Sequence, residues 1–155
     1  MRQFSPFIIA IAIAANGAPA LSQDGSPEER AIEIRQGHML NYAANIGVLV
    51  GMAQGNAEYD AETARRAADN LFHLASIDQS HYWLPGTAQG EIEGSGALPA
   101  IWENMADFEA RHAALLEAVT ALQSAAGTDL AALQGALGAV GQACSGCHQS
   151  YRARE

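Results

Sequence analysis

Residues 128–155 read TDLAALQGALGAVGQACSGCHQSYRARE, and their periodicity sets the terms for the rest of the chain. Leu130, Leu133, Leu137, Val140, Cys144, Cys147 and Tyr151 recur in steps of three and four. That spacing draws a narrow apolar seam down one face of a helix, suited to packing against other helices. Asp129 precedes it as a capping residue. A seam of this kind needs partners, and working outward the chain supplies three. Ser26-Pro27-Glu28-Glu29 combines a cap, a proline in the first turn and a glutamate at the third position. It opens a segment running to about Gln54, along which Ile32, Met39 and Ile46 repeat every seven residues. A second, alanine-rich segment from Asp60 to Ser76 has the weakest apolar stripe. A third opens at Pro99 with Ile101, Met105, Phe108, His112, Leu115, Val119 and Leu122, and stops at Gly127. No stretch alternates as a strand would. Two short turns and one long link, Ile77 to Leu98, join the segments. The pattern predicts an all-α fold, an antiparallel four-helix bundle.

The chemistry lies in the same stretch. Cys144-Ser145-Gly146-Cys147-His148 is the C-x-x-C-H pattern of c-type haem attachment. Residues three apart share a helix face, so both sulfurs can reach the two vinyl groups on one porphyrin edge. His148, four beyond Cys144, projects toward the same face and can offer its imidazole to the iron. A thioredoxin-like pair would open a helix in a βαβ setting, and a zinc site would need further ligands at suitable spacing. A structural disulfide would close a tiny loop and leave His148 without a role. The reading is one covalent haem c near the C-terminus of the fourth helix, held by Cys144 and Cys147, with His148 as axial ligand.

Residues 1–22 read differently. Arg2 precedes the apolar run Phe7–Ala15, and the small residues Ala18-Pro19-Ala20 follow. This is the layout of a cleaved secretory signal, and the run is too short to span a bilayer. One haem domain, 23–155, remains, exported to the periplasm without membrane insertion. The formal charge is −9, every basic residue is arginine, and removing Arg2 with no acid makes it −10. Such a domain repels nucleic acid and anionic membranes, and a redox partner that docks by charge must offer a basic face.

With the motif goes a family resemblance. The chain resembles the class II c-type cytochromes: cytochrome c′ and its low-spin cytochrome c-556 relatives. The features that carry it are the leader, four helices and a C-terminal C-x-x-C-H followed by Tyr151-Arg152. Arg35-Gln36, Gly55 with Tyr59-Asp60, and Pro99-x-Ile101-Trp102 add to it. The resemblance places Met39, four positions after Arg35, on the open side of the haem. Cytochrome c′ carries a bulky non-ligating side chain there and leaves the iron five-coordinate. The c-556 relatives carry methionine and are six-coordinate, and this chain follows that pattern.

The expectation is therefore an electron carrier with His148 and Met39 as axial ligands. The alternative is a five-coordinate cytochrome c′ that binds nitric oxide or carbon monoxide. A peroxidase would want a distal acid and base pair, and none is visible, so no enzyme is expected. Arg35 and Gln36 look like the family's propionate contacts. Trp102, Phe108 and Tyr151 read as haem-wall residues, and Arg152, four beyond His148, as a neighbour of its imidazole. His38 lies about a hundred degrees off the Met39 stripe, His112 reads as a hydrogen-bonded core histidine, and Met105 as packing. A homodimer of two bundles is allowed. Mass spectrometry of protein from its native host should find a chain beginning near Leu21 or Gln23. A full-length, membrane-integral species would overturn the leader.

Overall fold

The cap at Ser26 forms as the sequence requires. Its side chain accepts from the Glu29 amide while the Glu29 carboxylate accepts from the Ser26 amide, and α1 runs from Pro27 to Ala53. The structure, a computed structural model, describes residues 25–154; the leader lies outside the described residues. Gly55, at φ +74°, turns the chain after α1 in a conformation that favours glycine. Asp60 caps α2 (Ala61–Ala75) and Asp129 caps α5 (Leu130–Tyr151), each accepting from a backbone amide three residues on.

Between them the expected third helix is broken. A short α3 (Ala100–Glu103) ends at Asn104, which adopts φ −141°, ψ 57°, and α4 (Met105–Ala125) begins beyond it. The apolar stripe carries no signal of this break, because Ile101 and Met105 stay in step across it. Asparagine leaves helical geometry readily, and here the kink lets Ile101 and Trp102 pack at one end of the bundle while α4 proceeds along it.

The neighbouring pairs are α1–α2, α2–α4, α4–α5 and α5–α1, which closes a four-helix ring with α3 outside it. Cross-helix hydrogen bonds fix the directions. Asn70 Nδ2 donates to Asn45 Oδ1, Gln123 Nε2 to Asp69 Oδ1, Arg111 Nη1 to the Gly146 carbonyl and Gln134 Nε2 to the Ala53 carbonyl. The His38–Leu74 contact stands beside Asn45–Asn70, and the His112–Ala75 contact beside Asp69–Gln123. With the early-to-late bonds Arg111–Gly146 and Gln134–Ala53, the numbers run oppositely in each neighbouring pair, so the bundle is antiparallel, as predicted. The alanines that weakened the stripe of α2 are its contact surface: Ala64, Ala67, Ala68 and Ala75 are buried around Leu71. Gly127, in the turn before α5, lies so close to α2 that a Cβ there would sit 3.1 Å from Arg65 Cβ.

The 77–98 link is ordered by a buried charge. Arg35 on α1 is 5% exposed. Its Nη1 donates to Thr87 Oγ1 (2.9 Å), and its Nη2 to the Thr87 carbonyl (2.7 Å) and Ser95 Oγ (2.8 Å). Gln36 Nε2 donates to the Gly94 carbonyl at 2.9 Å. Farther along, the Leu98 amide donates to the Tyr151 carbonyl and the Ala153 amide to the Gly96 carbonyl. The link thus ties the start of α1 to the end of α5. Arg35→Met should remove acceptor-matched donors from Thr87 and Ser95 and cost about 1.5–3 kcal/mol, the range for hydrogen bonds to a charged group. Urea unfolding should report that loss, and limited proteolysis should cut first within 77–98.

Candidate functional site

Cys144 and Cys147 are half-buried and lie three residues apart on α5, with no disulfide between them. They face different neighbourhoods. Cys144 packs on the main core beside Tyr42, Leu49 and Val140, whereas Cys147 packs on a second cluster built from Ile101, Tyr151, Trp83, Trp102, Met105 and Phe108. The rings of this second cluster meet edge to face: Trp83–Phe108 at 4.6 Å, Phe108–Tyr151 at 5.3 Å and Trp83–Trp102 at 6.4 Å between centroids. Trp102 Nε1 donates to the Trp83 carbonyl at 3.0 Å, so α3 and the link are joined where they flank the motif. Trp102, Phe108 and Tyr151, expected as haem-wall residues, all lie in this cluster with Cys147. Trp83, from the link, was not foreseen.

Burial raises both thiols above their ordinary value, which keeps them protonated at neutral pH. Burial lowers His148, and the Arg152 guanidinium pushes the same way, so its imidazole is neutral and its lone pair is available. Arg152 is thus near enough for its charge to act on His148. Two cysteines in an apolar wall, an imidazole one residue on, and flanking aromatic rings fit a covalently attached haem. They do not fit a metal–thiolate centre, and no group of three or more His, Cys, Asp or Glu capable of holding a metal occurs among the described residues.

The motif is also held from α4. Arg111 donates through Nη1 to the Gly146 carbonyl at 2.7 Å and through Nε to Asp107 Oδ2 at 2.6 Å. Tyr151 Oη donates to the same Asp107 oxygen at 2.6 Å. The bond from Tyr151, then that from Arg111, holds the Asp107 carboxyl below its usual range. Neither Asp107 nor Arg111 was predicted, although their i, i+4 spacing on a helix was visible.

On α1 the periodicity is only partly right. Ile32 is buried and Ile46 packs on the core, but Met39 is 39% exposed while His38 is 7% exposed. The buried face is Ile32, Arg35, His38, Tyr42 and Leu49, turned by one residue from the heptad. His38 belongs to a polar knot. Gln79 Nε2 lies 3.3 Å from His38 Nε2 and 3.2 Å from His112 Nε2. An amide NH2 has two protons, so it satisfies both rings if each is neutral with its own proton on Nδ1. The Leu74 carbonyl at His38 and the Ala75 carbonyl at His112 match that arrangement. His112 is therefore the hydrogen-bonded core histidine expected of it. Tyr42 adjoins Gln79 and Cys144, and burial raises its phenol. With the amide protons committed to the imidazoles, Tyr42 Oη keeps no hydrogen-bond partner.

The comparisons with known proteins agree with this geometry. The family described as Cytochrome C′ matches residues 30–152. The chain belongs to the cytochrome c′ family. It is 48% identical to cytochrome c-554 of Cereibacter sphaeroides over 137 residues, covering 88% of this chain and 90% of that one. A solved cytochrome c′ from Rhodobacter sphaeroides superposes with a TM-score of 0.81 at 37% identity, over 83% of this chain and 98% of that one. A nitric oxide complex of a leucine-to-alanine variant of Alcaligenes xylosoxidans cytochrome c′ superposes with a TM-score of 0.73 at 30% identity, over 85% and 100%. Membership makes this class II chain an electron-transport haem protein with one covalent haem c.

The knot has a measurable consequence. His38 and His112 are both lowered from 6.5, by burial first and, for His38, by the charge of His112 next. The unfolded chain then binds more protons than the folded one below that value, so stability is full above it and falls as pH falls through it. Denaturant midpoints should drop between pH 7 and pH 5, and His112→Asn should flatten the dependence.

Proposed function

We propose that this chain is a periplasmic electron-transfer protein, not an enzyme, that carries its haem on thioether bonds from Cys144 and Cys147. His148 is the proximal ligand. The observation that carries the proposal is the placement of Cys144, Cys147 and His148 along one stretch of α5 beside the cluster of Trp83, Phe108 and Tyr151. The bound haem supplies a one-electron iron couple. The protein fixes the axial ligand, the polarity of the wall and the charges around it, and these set the potential. No helix among the described residues is long and apolar enough to cross a membrane. The acidic surface favours a redox partner with a basic face. Exposed Leu40 and Val48 on α1 favour pairing of two bundles as a homodimer.

Two readings of the distal side compete. The comparisons favour the first, an iron with an open position that takes nitric oxide or carbon monoxide. Solved cytochromes c′ at 30–37% identity are among them, and they include two nitric oxide complexes and a carbon monoxide complex. Specific observations favour the second, a low-spin iron closed by Met39. A methionine stands four residues after Arg35, its side chain is not locked into the core, and a relative at 48% identity is a cytochrome c-554. Under either reading Arg35 and Gln36 act beside the distal face as braces of the link.

One set of measurements tests all of this. The haem should survive acid–organic extraction and denaturing electrophoresis, and Cys147→Ala should weaken its retention severely. Complete extraction from the native protein would end the proposal. A high-spin ferric spectrum with ready carbon monoxide binding selects the open iron; a low-spin spectrum with slow or no binding selects Met39. In the second case Met39→Leu should open the iron to carbon monoxide at less than about 1.5 kcal/mol of packing.

A further inference from the structure

Arg111 and Asp107 do more than join two helices. Gly146 is bonded to Cys147, and the Gly146 carbonyl receives the Arg111 guanidinium at 2.7 Å from outside its own helix. The Arg111 charge also acts on the Cys147 thiol, opposing the effect of burial there. A permanent cation is thus brought into the haem-attachment turn. Its counter-charge, Asp107, is clamped by Arg111 Nε and Tyr151 Oη, both at 2.6 Å, and the guanidinium stands 5.5 Å from the Tyr151 ring centroid. Tyr151 is itself buried in the Cys147 cluster, three residues beyond His148. Cation and anion are therefore in direct contact, with the cation hydrogen-bonded to the motif and the anion behind it, and the two charges act on Cys147 in opposite directions.

We propose that Arg111 is a positioning and tuning residue for the haem centre, whose cation raises the reduction potential and whose strength is set by Asp107. The inference rests on haem attachment at Cys144 and Cys147 and goes beyond it. Reduction adds one negative charge to the haem, so a nearby cation favours the reduced form and a nearby anion opposes it. The pair lies at a partly exposed position, with side chains 35% and 40% accessible, so added salt should weaken its effect.

The test is the reduction potential of the holoprotein in four variants, each first checked for covalent haem by denaturing electrophoresis. Arg111→Gln should lower the potential and Asp107→Asn should raise it. Arg111→Lys, which keeps the charge but not the two-armed geometry, should stay near wild type. The double variant should return toward wild type. A purely structural tether would move Arg111→Gln and Asp107→Asn in the same direction, or move neither, and either result overturns the proposal. If Arg111→Gln fails to fold, Asp107→Asn measured against wild type and Arg111→Lys still decides: no rise in Asp107→Asn overturns the proposal equally. Absence of covalent haem in the wild type would instead count against attachment itself, so the two failures are told apart.

Discussion

A guanidinium removed from water has to find acceptors, and in this chain nearly everything at the haem end follows from where Arg35 finds them. Its partners are the Thr87 hydroxyl and carbonyl and the Ser95 hydroxyl, all in the 77–98 link. A 22-residue connection with no more regular structure than one 3-10 turn, Ser80–Tyr82, is expensive in conformational entropy unless something holds it. Once it is held, Trp83 stands over Phe108 and beneath the Arg35 cation, 5.1 Å from its ring centroid. The same link then pairs with the end of α5 through Leu98 and Ala153. One buried charge on α1 therefore shapes the wall against which Cys147 packs and the chain that closes over Tyr151.

The bundle has two apolar clusters, and the attachment motif spans them. Cys144 belongs to the long core between the helices, Cys147 to the aromatic cluster at the end. Covalent bonds from both would tie a flat cofactor to two bodies of packing at once, with Arg111 holding the intervening turn from α4. This division explains why α3 breaks from α4 at Asn104. A straight helix could serve the core, but Ile101 and Trp102 are needed at the end.

Around His38 the bundle is organised by polar rather than apolar packing. Gln79 from the link bridges His38 on α1 and His112 on α4, and both rings are kept neutral chiefly by burial. With His38 and Tyr42 turned inward, Met39 between them points to neither core. Its thioether is left out of the packing, so the proposal that it ligates iron asks nothing of the core.

Caps, periodicity and the C-x-x-C-H spacing determined the helices, their antiparallel order and the attachment chemistry, because those depend on residues within a few positions of one another. Ser26, Asp60 and Asp129 begin their helices as local hydrogen-bonding demands, and Cys144, Cys147 and His148 share a face by helical geometry. Only the tertiary structure decided that Arg35 is buried, that Gln79 joins two histidines, that Asn104 breaks a continuous stripe and that Arg111 reaches Gly146. Each of these joins residues dozens of positions apart or trades local helical geometry for packing elsewhere. Periodicity reports which face of a helix is apolar. It carries no information on which distant carbonyl will satisfy a charge that packing has taken out of water.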